Sequence, residues 1–140
     1  MAADEPGVIP MIAYEDGPAA MDWLAAAFGF QERDRRVDQS GRLSHGEMKA
    51  GEGLIMVATP SPHYQGPRRH RESCAAAQKW LEVPYIVDGV LVYVDDVQSH
   101  FQRAKQHGAT ILSQPESGPD GGRYRAEDLE GHRWMFVERR

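Results

Sequence analysis

The chain has 140 residues, 41% hydrophobic and 26% charged, the profile of one folded globular domain rather than a disordered or fibrous chain. Sixteen Lys and Arg against 21 Asp and Glu leave a net charge of −5, which argues against a dedicated binder of nucleic acid or anionic membrane. The single cysteine, Cys74, excludes an internal disulfide, no window approaches the roughly 18 to 20 apolar residues of a membrane span, and the acidic start lacks the regions of a signal peptide, so a single cytoplasmic domain over 1–140 is expected.

An apolar stretch over 8–14 reads as a first strand, and Pro10 within it requires an edge or irregular strand because its missing donor must face an unpaired side. Asp16 then caps a helix whose Met21, Leu24, Ala25 and Phe28 share one face, with Pro18 where an absent N–H costs nothing and Gly29 at the left-handed closing position. Strands follow over 32–38, 42–49 and 54–59, the first pair joined by Gln39-Ser40-Gly41. Residues 60–84 differ in composition, with Pro60, Pro62 and Pro67, a basic cluster and a helix-compatible run over 73–81. Such a length between modules suggests disorder or a functional flap, although Trp80 and Tyr85 favour some packing.

The second half repeats the first. A strand over 90–94 leads to a cap at Asp95-Asp96, a helix with Val97, Phe101 and Ala104 on one face, and a stop at Gly108. Strands over 109–114, 122–127 and 133–138 follow, with turns at Gly118-Pro119-Asp120-Gly121 and Glu130-Gly131. The intervals from Asp16 to Gly29 and from Asp96 to Gly108 agree to within one residue, which marks an internal duplication. The chain is therefore expected to be α+β, with βαβββ modules over 8–59 and 88–138 and a connector over 60–87.

This duplicated unit, together with the run Tyr124-Arg125-Ala126-Glu127-Asp128-Leu129-Glu130-Gly131-His132-Arg133-Trp134, resembles the vicinal oxygen chelate superfamily of glyoxalase I, extradiol dioxygenases, fosfomycin resistance enzymes and bleomycin-binding proteins. The turn is similar to the family's D-P-x-G-H pattern with Leu129 in place of proline. The resemblance implies a glyoxalase/bleomycin resistance fold, a cup-shaped mixed sheet enclosing a ligand cavity, and a homodimer. It also implies that metal-dependent members hold a divalent ion by inward donors on the first and last strands of each module.

Laid on this chain, the four ligand positions fall near Ile9, Met56, Gly89 and Met135, none able to coordinate a hard divalent ion, so neither metal nor cofactor is expected. His45 and Glu47, two apart on a strand, share a face and could act as an acid or base pair, or simply form a polar outer face. His100 and His107 share a helical face expected to be solvated, and Arg68-Arg69-His70-Arg71 reads as a solvated basic loop rather than a nucleic-acid site. Cys74 beside three alanines lacks a base and reads as a small filler.

With Met56 and Met135 facing inward and Met11 and Leu91 as neighbours, the cup suits an apolar or aromatic guest, although methionine on a strand also serves as core filler. Tyr93 and Trp80 are candidate walls and Arg133 a candidate rim charge, with core packing, connector anchoring and snorkelling as their structural alternatives. The sequence thus favours metal-independent binding of a small apolar or aromatic ligand by Met56, Met135, Tyr93, Leu91, Arg133 and Trp80. The rivals are a lyase, isomerase or dioxygenase with an atypical site around His45, Glu47 and Tyr93, and a non-catalytic structural or regulatory dimer module.

Overall fold

The computed structural model describes residues 5–83, 88–117 and 121–139, so Tyr85 and the Gly118-Pro119-Asp120 turn lie outside the described residues. The chain divides into two compact units, Met1–Tyr64 and Gln65–Arg140. The fold is α+β, each unit carrying one four-stranded mixed sheet.

In the first unit, β1 (Met11–Ala13) leads to α1 (Gly17–Phe28), β2 (Gln31–Val37), β3 (Leu43–Ala50) and β4 (Gly53–Ala58), in sheet order β1-β4-β3-β2. The crossover makes β1 parallel to β4, while the other neighbours run antiparallel. Pro10 shortens β1 to three residues at the sheet edge, the place where a missing amide proton costs least. Helix α1 begins as its sequence predicts, with Asp16 Oδ1 accepting from the Ala19 amide at 3.1 Å and Gly29 closing it at φ 73°. Its Ala20, Met21, Leu24 and Phe28 are buried with Leu43, Met48, Ile55 and Val57 of the sheet. Gly46 lies under the helix: a Cβ there would sit 2.7 Å from Met21 Sδ and 2.9 Å from Val57 Cγ2.

In the second unit, α2 (Pro67–Ser73), α3 (Ala75–Gln78) and a 3-10 turn (Lys79–Glu82) precede β5 (Gly89–Val94), α4 (Val97–Gln106), β6 (Thr110–Glu116), β7 (Arg123–Glu127) and β8 (Arg133–Glu138). The order β5-β8-β7-β6, with β5 parallel to β8, repeats the first sheet. Val97, Phe101 and Ala104 of α4 are buried with Tyr124, Ala126, Trp134 and Phe136. The expectation of a solvated His100 is overturned: its Nδ1 shares a 2.6 Å hydrogen bond with the Tyr124 hydroxyl, and its ring lies 4.1 Å from that of Phe136. Burial in this cluster pushes the Tyr124 phenol above its ordinary value. His107 is exposed, as expected.

Asp128 organises the β7–β8 turn. Its Oδ1 accepts from the Glu130 and His132 amides at 3.0 Å each, and its Oδ2 accepts from the Trp134 indole at 3.1 Å. The β2–β3 turn has the same wiring, with Asp38 Oδ1 accepting from the Ser40 and Arg42 amides and Gly41 taking the left-handed position that Gly131 takes here.

The basic run is helical and docked, not a solvated loop, and the helix-compatible stretch predicted over 73–81 is preceded by helix from Pro67. The Arg68 guanidinium donates to the Leu129 and Asp128 carbonyls at 2.8 and 3.0 Å, and its amide donates to the Glu130 carbonyl. Gly131 is required at this approach, since its φ is +92° and a Cβ there would meet the Arg68 amide nitrogen at 2.8 Å. Arg71 grips the fully buried Glu127 with two hydrogen bonds of 2.8 and 3.0 Å. Arg133, 4% exposed, donates to the Trp80 and Val83 carbonyls at 2.8 and 3.0 Å, while its Nε lacks a hydrogen bond among the described residues and lies 3.6 Å from Glu127. Burial lowers the Arg133 pKa and the Glu127 charge opposes that shift.

Two stability effects are expected. Gly46→Ala overpacks the helix–sheet contact and costs about 1–3 kcal/mol of unfolding free energy in urea melts. Glu127→Gln removes the carboxylate that compensates Arg71 and Arg133 and costs about 3–5 kcal/mol by the same measurement.

Candidate functional site

Helix α1 covers one face of the first sheet, and the opposite face carries the chemistry. Alternation along β3 buries Gly46, Met48 and Ala50 toward the helix and turns His45 and Glu47 the other way. The parallel register sets Met11 beside Met56 and Ala13 beside Ala58, and Glu47 pairs with Met56 across β3 and β4. Two small alanines beside long methionines leave a depression. An open cavity of about 240 Å³ lies there, its wall including Met11, Ala13, His45, Met56, Ala58 and Pro60.

His45 Nε2 lies 2.7 Å from Glu47 Oε2, so the pair expected from their two-residue spacing is formed. The other Glu47 oxygen faces Arg33 Nε at 3.3 Å, and Arg33 also pairs with Glu5, whose carboxyl that hydrogen bond holds below its ordinary value. Asp34, the register partner of Glu47, joins the cluster and pairs with Arg36 at 3.0 Å. Donor atoms of Asp34, His45 and Glu47 fall within 4.8 Å of one another. The sequence reading missed Asp34 because a bulge between Glu32 and Asp34 shifts the strand's alternation by one residue and brings Asp34 to this face.

Of the six predicted ligand residues, Met56 alone lines this cavity. Leu91 and Tyr93 are about half exposed on β5, with Leu91 the register partner of Met135 and Arg139 lying over the Tyr93 ring at 5.3 Å. Arg133 and Trp80 meet each other instead: the buried guanidinium holds the Trp80 carbonyl, so Arg133 is not a free rim charge. Trp80 anchors the connector and lies 5.7 Å from the His70 ring. Tyr93 belongs to the other unit from His45 and Glu47, whose polar companions within their own unit include Arg33 and Asp34. In the parallel registers Met11 stands beside Met56 and Leu91 beside Met135.

A solved structure of TioX from Micromonospora sp. ML1 is 31% identical, with a TM-score of 0.69 over 96% of this chain and 97% of that one. An uncharacterised protein of Mycobacterium tuberculosis strain H37Rv is 27% identical over 133 residues, 94% of this chain and 74% of its own length. The bleomycin-binding protein of Streptomyces verticillus, solved with copper(II)-bleomycin, shares the fold at 13% identity and a TM-score of 0.59, over 96% of this chain and 97% of that one. The family model described as Glyoxalase/Bleomycin resistance protein/Dioxygenase superfamily matches residues 9–136, and the chain belongs to that superfamily.

Proposed function

We propose that the protein binds a small apolar or aromatic molecule in the cavity on the open face of its first sheet and sequesters it without a resident metal. The observation that carries this reading is a cavity walled by Met11, Ala13, Met56 and Ala58, with one imidazole at its side. A cavity of ~150 Å³ accommodates benzene, so about 240 Å³ suits a two-ring guest or one ring system of a larger molecule. Each thioether contact to a ring contributes about 0.3–1.5 kcal/mol, and methionine adapts to ring shape better than branched side chains do. The bleomycin-binding protein of Streptomyces verticillus, which shares the fold, is an instance of small-molecule binding on this scaffold.

The metal used by some members of the family does not fit these residues. Ile9, Met56, Gly89 and Met135, on which the resemblance lays the ligand positions, offer two thioethers, an alkyl group and no side chain at all, none of them a donor for a hard divalent ion. Asp34, His45 and Glu47 offer harder donors, but Arg33 and Arg36 already neutralise both carboxylates, and an incoming cation has to displace them. The homodimer that the resemblance implies, and the cytoplasmic location expected from the sequence, accompany this reading.

Methionine-methyl NMR during titration with naphthalene-type compounds tests it. Met11 and Met56 methyls are expected to shift while the core residues Met21 and Met48 do not, and Met56→Lys should weaken binding at least about tenfold. Chelators should leave the affinity unchanged. Shifts confined to Met135, or affinity that vanishes with EDTA, overturn the reading.

A further inference from the structure

We propose that His45, oriented by Glu47, makes the cavity selective for guests that carry an acidic hydroxyl, a phenol or an enol, placed against the imidazole. The inference rests on the first-sheet cavity being the ligand site.

A carboxylate can only accept, so the 2.7 Å contact from His45 Nε2 to Glu47 Oε2 places the ring proton on Nε2. In the neutral ring Nδ1 is then a lone-pair acceptor, and no hydrogen bond to it forms among the described residues. Glu47 cannot easily turn away: its side chain is 16% exposed, its second oxygen is held by Arg33, and Asp34 stands across from it in register. The imidazole is thus fixed in tautomer and direction by a charged network on β2 and β3, while its ring forms part of an otherwise apolar wall.

Selectivity follows from what a guest loses on entry. A hydroxyl stripped of water and left unpaired against Met11, Ala13, Met56 or Ala58 is penalised, so a polar guest binds well only where that group meets Nδ1. An acceptor-only group such as an ether or ketone faces a lone pair there and gains nothing. An acidic hydroxyl is the strongest neutral donor available to a flat aromatic skeleton, and Glu47 behind the ring strengthens the acceptor as the proton is shared.

Three compounds of one shape, 2-naphthol, 2-methylnaphthalene and 2-methoxynaphthalene, separate the outcomes when titrated against the full chain and followed at the Met56 methyl. The naphthol-to-methylnaphthalene affinity ratio in the wild type should exceed that in His45→Leu by about tenfold, the worth of one hydrogen bond. The methoxy compound should show no such difference. Glu47→Gln, which keeps the cavity's shape, should lower the ratio by a smaller factor. A ratio that is the same in wild type and both variants overturns the hydroxyl selectivity while leaving the cavity reading intact. Failure of all three compounds to move the Met56 methyl overturns the cavity reading and the selectivity with it.

Discussion

Parallel pairing of a three-residue edge strand with β4 is the constraint on which the site depends. Two backbone hydrogen bonds outside the strand proper hold it: the Met56 amide donates to the Pro10 carbonyl at 3.0 Å, and the Tyr14 amide donates to the Ala58 carbonyl at 2.9 Å. Tyr14 is fully buried, which ties the end of this short strand to the core. A slip of one residue would turn Met11 and Ala13 toward the helix and Ile12 outward, exchanging one face for the other. The cavity therefore follows from backbone register first and from side-chain identity second.

The two faces of the first sheet divide the work. The face under α1 is close-packed to the point that Gly46 has no room for a methyl group, so the strand that carries His45 and Glu47 is held firmly from behind. On the open face, apolar area gathers near β1 and β4, while charge gathers near β2 and β3 in pairs that nearly cancel. His45 stands at the boundary between them. A rigid polar group at the margin of a greasy hollow is the arrangement that gives orientation without a heavy desolvation cost.

Much of the fold could be read from the chain because its signals are local. Asp16 and Gly29 delimit α1, Asp96 and Gly108 bracket α4, and the alternation of the strands placed all eight to within a few residues. The family resemblance, carried by the Asp128 to His132 turn, is matched over 9–136, and Asp128 does the wiring of that turn although Leu129 replaces proline. Long-range pairing was less legible. Arg71 looked solvated because its partner, Glu127, is 56 residues away, and His100 looked exposed because Tyr124 comes from another element. Asp34 was hidden by a bulge, which sequence alternation cannot register. Arg133 reads in sequence as a rim charge or a snorkelling side chain because the Trp80 and Val83 carbonyls that take up its guanidinium lie 53 and 50 residues away.

The docking of α2 on the β7–β8 turn moves the natural seam of the duplicated chain. Reading the repeat alone, one would cut near residue 88, at the start of the second strand–helix unit. The arginines of α2 instead make residues 65–83 a working part of the second half, since Glu127 and the Asp128 turn need Arg68 and Arg71 as much as they need their own strands. Anyone splitting the gene, permuting it or grafting one half onto another scaffold has to place the joint at Tyr64 and Gln65. A cut downstream of α2 strands an acidic side chain in oil.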